Sequence, residues 1–220
     1  MIRVGSSEIT PYVGATKLAR VYVGSTLVWE PPIVGAAYFD TLDSLAAFTQ
    51  TKTGDGVESN TGHAAWPGGS NGTSRLIYNQ PALTDNQYVA TELATTTART
   101  GVLIMHCDDA ATGWYGVSWS SGSTITLGRG SGMWGGSFDS TIASVNSGSP
   151  GGTGTVELWN IGNTFRVAVN GTIRIDTTVA NSIRGAGYRR QGFGMYRNTF
   201  LSTGRLDRWY GGDAVAYGKS

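Results

Sequence analysis

The sequence predicts an all-β protein, a small N-terminal β-meander followed by a larger β-sandwich. Three observations predict it. A four-residue phrase occurs three times near the start, as Val4-Gly5-Ser6-Ser7, Val13-Gly14-Ala15-Thr16 and Val23-Gly24-Ser25-Thr26. From Arg75 onward, apolar residues alternate with period two in short runs. The chain also has 33 glycines in 220 residues, without a collagen-like period and mostly between those runs, as a turn-rich sheet protein requires.

Each repeated phrase sets Gly at the first central position of a two-residue turn, where a positive φ is needed and only Gly adopts it cheaply. The runs between turns read as strands: Ile2 to Val4, Ser7 to Val13, Thr16 to Val23 and Thr26 to Trp29. Pro11 interrupts the second run and marks an exposed edge or a bulge. A four-stranded strip of this size is marginal by itself in water. It therefore packs either on the domain that follows or on another chain. In the second case Val13, Tyr22, Val23, Leu27 and Trp29 are the docking residues. Pro31-Pro32 disfavours helix and ladder alike and acts as a stiff connector. The expected organisation is a meander over 1–32, a linker over 33–37 and a sandwich domain over 38–220.

The second domain opens on its one helix candidate, Phe39 to Phe48, in which Leu42, Leu45 and Phe48 recur at helical spacing and Asp40 or Thr41 serves as cap. A polar, Gly-rich stretch follows, with Trp66-Pro67-Gly68-Gly69 at its centre. The strands expected next are Arg75 to Tyr78, Gln87 to Ala94, Gly101 to Cys107, Trp114 to Trp119 and Thr124 to Gly128. Then come Thr155 to Ile161, Thr164 to Val169, Thr172 to Thr177, Gly192 to Arg197 and Leu206 to Tyr210. Many short strands with little helix mean a sandwich or barrel. Around Asn170-Gly171, a two-residue loop would mix core and solvent faces. A three-residue loop of Val169, Asn170 and Gly171 sets Val167 against Ile173 and Phe165 against Ile175, and is expected on that ground.

Composition excludes several functions. Charged residues are 14% and the net charge is +1, so no phosphate-tracking surface and no nucleic-acid partner is expected. Thirteen of the sixteen basic residues are Arg, which fits a GC-rich genome. The single cysteine, Cys107, allows no intrachain disulfide and reads as a small buried residue. The N-terminus lacks a signal-peptide run, and no stretch has membrane-spanning length. The expectation is a protein made in the cytoplasm, unprocessed and without membrane insertion.

Candidate chemistry is sparse. His63 and His106 have no ligand spacing; no G-x-S-x-G elbow is present, and the Gly-rich stretches lack the Lys-Ser/Thr of a phosphate loop. Asp108-Asp109 are weak candidates for a calcium site, since that ion takes hard oxygen ligands, but no third ligand supports them; no other cofactor is expected. Sugar rings stack on flat aromatic faces. Trp66 and Trp134 sit in Gly-rich segments and Trp114 opens a strand beside the Asp108 loop. These three are the glycan-binding candidates, whereas Trp119, Trp159 and Trp209 fall inside strands and read as packing residues. Arg189-Arg190 reads as a solvated loop pair.

Two resemblances follow from these residues. Thr155 to Ile173, with its strand–turn–strand–Asn-Gly–strand pattern, resembles concanavalin-like (laminin-G-like) jelly rolls. Thr84 to Val89, Gly101 to Met105, Gly113 to Val117, Gly192 to Tyr196 and Leu206 to Asp213 resemble other parts of the same superfamily. This implies a concanavalin-like jelly-roll sandwich over 38–220. Enzymes of that superfamily carry Glu-x-Asp-x-x-Glu on one strand. Glu92 and Glu157 are each the lone acid of their strands, so no catalytic residue is assigned and no enzyme is expected. The run Val21-Tyr22-Val23-Gly24-Ser25-Thr26-Leu27-Val28-Trp29 resembles a module at the front of minor tail proteins of long-tailed phages infecting actinobacteria. This implies a virion protein, docked on other tail proteins, trimeric by analogy, and displaying the jelly roll for host cell-wall polysaccharide. The alternative is a tail-associated glycan hydrolase.

Overall fold

The computed structural model describes residues 35–94, 101–119, 123–146, 150, 154–198 and 205–220, with the backbone of six short strands nearer the N-terminus. The chain divides into two compact units, Met1–Val34 and Gly35–Ser220.

In the first unit, β1 (Arg3–Val4) pairs with β2 (Ser7–Glu8), β3 (Tyr12–Val13) with β4 (Thr16–Lys17) and β5 (Val21–Val23) with β6 (Thr26–Trp29). The end pairs are Val4 with Ser7, Val13 with Thr16 and Val23 with Thr26, so each repeat spans a two-residue connection. Among the described residues these are three separate two-stranded sheets, not one four-stranded meander. The turn chemistry recurs, but the strands it joins are only two to four residues long. Pro11 lies outside the described residues.

The second unit contains β7 (Ala37–Asp40), β8 (Phe48–Lys52), β9 (Glu58–Ser59), β10 (Ala64–Ala65), β11 (Gly72–Tyr78), β12 (Gln87–Leu93), β13 (Gly101–Cys107) and β14 (Trp114–Trp119). It continues with β15 (Ile125–Gly130), β16 (Ser140–Val145), β17 (Thr155–Ile161), β18 (Thr164–Val169), β19 (Thr172–Thr178), β20 (Arg190–Arg197) and β21 (Leu206–Asp213). One sheet has eight strands in the order β19-β18-β17-β12-β21-β10-β9, with β7 also on β21. The other has seven, β16-β15-β14-β13-β20-β11-β8. Every pairing is antiparallel. The main core lies between the sheets, with Leu103, Met105, Tyr115, Phe165, Phe193 and Trp209 among its buried members. Period-two alternation supplies it: Tyr115, Val117 and Trp119 point inward, while Trp114 joins a second cluster on the opposite face.

Three local expectations change. Residues 39–48 form no helix. Ala37–Asp40 is a strand on β21, the Asp40 carboxylate accepts the N–H of Leu42, Leu42 is left-handed at φ 58°, and Phe48 opens β8. Leu42 and Phe48 do enter the core, brought there by a turn. The Asn170-Gly171 hairpin has a two-residue loop, with Val169 opposite Thr172 and both turn residues left-handed (φ 51° and 75°). A bulge then shifts the register, so Val167 faces Ile175 and Ala168 faces Ile173, leaving Arg174 as the extra residue. The expected pairing is therefore replaced: Ile175, not Ile173, is buried opposite Val167, Phe165 lies opposite Thr177, and Ile173 is exposed. Finally, β16 is an edge strand that the sequence did not reveal.

Candidate functional site

The tryptophan candidates are buried. Trp66 joins the main core and donates Nε1–H to the Ser70 carbonyl at 3.1 Å. Trp114 and Trp134 pack in the second cluster with Ile77, Val102, Ile104, Cys107 and Ala111, on the outer face of the seven-stranded sheet. The segment 131–139 folds back over this face. Its Gly132 carbonyl accepts from Trp114 Nε1 and from Arg75 Nη1, at 3.1 and 2.9 Å. Glycine makes the seat: a Cβ at Gly130 would lie 2.4 Å from Trp114 Cζ2, and one at Gly128 would lie 2.3 Å from Phe138 Cγ. None of the three indoles offers a stacking face, neither Trp66 and Trp134 in their Gly-rich segments nor Trp114 beside the Asp108 loop. Trp119 and Trp209 are core residues, and Trp159 lies on a sheet face, covered by other side chains.

The Asp108 and Asp109 carboxylates already have protein partners. The Asp108 carboxylate accepts from the Thr112 N–H and hydroxyl, and Asp109 pairs with Arg190 at 2.7 Å. No group of three or more His, Cys, Asp or Glu side chains suited to a metal occurs among the described residues. Arg189 and Arg190 are not a free solvated pair, since Arg189 bonds Asp85 at 2.9 Å. Val13, Tyr22, Val23, Leu27 and Trp29, expected to dock on another chain, all lie on strands of the first unit.

Among the described residues, two clefts stand out on the outer faces of the two sheets. The first, about 290 Å³, lies on the eight-stranded sheet and is lined by Tyr88, Ala90, Glu92, Glu157, Tyr210 and Tyr217, with Thr91 and Thr155. Cross-strand register assembles it. Ala90 lies opposite both Glu157 on β17 and Tyr210 on β21, and Glu92 lies opposite Thr155 and Arg208. The small Ala90 gives the cleft a floor, and the 3-10 turn Ala214–Tyr217 brings Tyr217 over Tyr88, with centroids 4.2 Å apart.

The carboxylates are held in fixed orientation. Glu92 accepts the Tyr210 phenol at 2.5 Å and Arg208 Nη1 at 3.1 Å. Glu157 accepts the Tyr88 phenol at 3.0 Å and Lys219 Nζ at 2.6 Å, and that ammonium also sits 4.6 Å from the Trp159 ring. Burial, and then the neighbouring Glu157 charge, raises the Tyr88 phenol above its ordinary value. Burial likewise raises Tyr210, followed by its bond to Glu92, and pushes Tyr217 up to about 12. These phenols therefore stay protonated as donors. Nothing local in the sequence signalled this site: its acids stand on different strands, and only sheet pairing joins them.

The second cleft, about 240 Å³, lies on the seven-stranded sheet between Thr49, Thr51, Arg75, Ile77, Tyr78, Asn79, Asp109 and Arg190. Between the sheets lies a polar node of Gln87, His106, Asn160 and Gln191, all buried. His106, left-handed at φ 50°, turns away from the side of Val102 and Ile104, and burial lowers its pKa to about 4. Burial also pushes the Cys107 thiol up to about 12.

The sequence matches no protein family model and no curated protein. Solved structures do match in fold. Arcelin-5, a lectin-like defence protein from Phaseolus vulgaris, aligns with a TM-score of 0.56 and 10% identity over 81% of this chain and 98% of its own. The exoplasmic domain of VIP36, in a form bound to Ca2+ and Man3GlcNAc, aligns at 0.57 and 7% over 80% and 86%. A carbohydrate-binding module, CBM66 from Bacillus subtilis, aligns at 0.50 and 12% over 74% and 91%. At these identities the likeness is one of fold, and the second unit is a concanavalin-like jelly-roll β-sandwich.

Proposed function

We propose that this chain is a non-catalytic, glycan-binding tail protein of a phage virion, whose jelly roll takes a host cell-wall polysaccharide in the tyrosine cleft. The cleft itself carries the proposal. Aromatic rings and preset carboxylates on a small-residue floor are the combination that sugar recognition uses, rings for the C–H faces and carboxylates for the hydroxyls. The fold supports it, since the matched proteins include a carbohydrate-binding module and a Ca2+/Man3GlcNAc-bound form of VIP36. The virion role rests on the resemblance of Val21 to Trp29 to a phage tail module, with the hairpins of the first unit docking on other tail proteins.

One observation favours a hydrolase instead. Glu92 and Glu157 are diagonal neighbours across β12 and β17, which sets their Cβ atoms ~7 Å apart. Inverting glycosidases hold their carboxyls ~6.5–9.5 Å apart. Such an enzyme needs one acid protonated at working pH, whereas each of these carboxylates is paired with a cation. Incubation with purified actinobacterial cell-wall polysaccharide separates the two. Retention of the polymer at constant chain length supports binding, and shortening of the chains overturns it.

A further inference from the structure

Arg75 is unusual among the charged groups of this protein. It is only 7% exposed, yet among the described residues no carboxylate pairs with it. A guanidinium carries five N–H donors. Here Nη1 reaches the Gly132 carbonyl, and the buried Nε has no acceptor. A buried charge without a counter-charge is unfavourable unless something else solvates or neutralises it. Arg75 lines the second cleft, where Arg190 supplies another guanidinium. Arg190 donates from Nε to Asp109 at 2.7 Å and from Nη1 to the Asn79 carbonyl. The Asp109 side chain is 81% exposed, so its pairing is worth little and an incoming anion can displace it. Thr49, Thr51 and Asn79 line the same space with neutral polar groups, and Ile77 gives it an apolar wall.

We infer that this arginine cleft is a second binding site, for a ligand bearing a carboxylate or phosphate group. Guanidinium groups match both anions in geometry as well as charge. The volume of about 240 Å³ falls just below the ~300–1,000 Å³ of drug-sized sites, which suits an inorganic anion or one acidic sugar. The site lies on the other sheet from the tyrosine cleft and stands or falls independently of it. On an acidic wall polymer, the carboxylate arm would be a uronic acid and the phosphate arm a phosphodiester.

The test is titration of the full chain with inorganic phosphate, glucuronate and glucose at low salt. Binding is followed by calorimetry and by the Nε–H resonances of the arginines. Phosphate or glucuronate should bind and shift the Arg75 Nε–H resonance, and which of them binds more tightly identifies the anion. Arg190→Gln should weaken that binding about tenfold or more, and Asp109→Asn should tighten it by removing the competing carboxylate. Folding of both variants is verified by near-UV circular dichroism. Failure of both anions to bind, equal binding of glucose, or an unchanged affinity in Arg190→Gln would overturn the inference and leave Arg75 as a tether for Gly132.

Discussion

Lowering the pH from 7 toward 4 should weaken the fold through one side chain, His106. Its surroundings admit only the neutral ring. The Gln87 side-chain oxygen accepts from the His106 N–H and from Gln191, so its amide nitrogen faces His106 Nδ1 at 3.2 Å as a donor. The Asn160 amide donates to the Asp85 and Gly162 carbonyls, so its oxygen accepts from His106 Nε2 at 3.0 Å. A second proton, on Nδ1, would meet the Gln87 N–H. Burial dominates the resulting drop in pKa from 6.5 to about 4. The unfolded chain therefore takes up this proton first as pH falls. Stability is complete above the unfolded value and declines until the folded value is reached. Across that window, at ~1.4 kcal/mol per pH unit, the loss is ~3 kcal/mol. Urea unfolding at several pH values measures it. His106→Gln, which cannot titrate, should flatten the decline although it lowers stability at neutral pH. An unchanged slope in the variant, or a folded-state imidazole titrating near its ordinary value by NMR, would refute the reasoning.

The bulged hairpin makes a paired prediction. Ile175→Ala should cost ~2–5 kcal/mol, because Ile175 is only 4% exposed. Ile173→Ala should cost under ~1 kcal/mol, because that side chain is 52% exposed; thermal or urea melts of both variants decide the register. Asp213→Ala should be severe, at least ~3 kcal/mol. That buried carboxylate accepts from the N–H groups of Ala36, Leu83 and Thr84 and from the Thr84 hydroxyl, fastening two segments to β21. A loss below 1 kcal/mol on urea unfolding would contradict this count of bonds.

What the sequence made legible were features repeated locally. Runs such as Gly101 to Cys107 and Trp114 to Trp119 carry their period in the residues themselves, and both form strands over those residues. The edge strand Ser140–Val145 has little apolar contrast because none of it is buried, so its alternation is faint. Phe48 to Lys52 was hidden by a helical spacing that a turn realises equally well. Asn170-Gly171 is itself the signal for a two-residue loop, and the core-facing pattern misled because a bulge at Arg174 corrects it downstream. The candidate site was less legible for a different reason. A Gly-rich segment with a tryptophan looks the same in sequence whether it projects into solvent or, like 131–139, folds back over a sheet. The tyrosine cleft and the arginine cleft each combine residues from distant strands, and only the sheet register brings them together.

The central claim is tested most directly by co-sedimentation of the full chain with purified actinobacterial cell-wall polysaccharide, comparing it with Tyr210→Ala and Glu157→Gln. The wild-type chain should be retained with the polymer uncut, and each variant should lose about tenfold or more of that affinity while keeping its fold. Retention undiminished in both variants, or no retention of the wild type, would contradict the assignment of the tyrosine cleft as the glycan site.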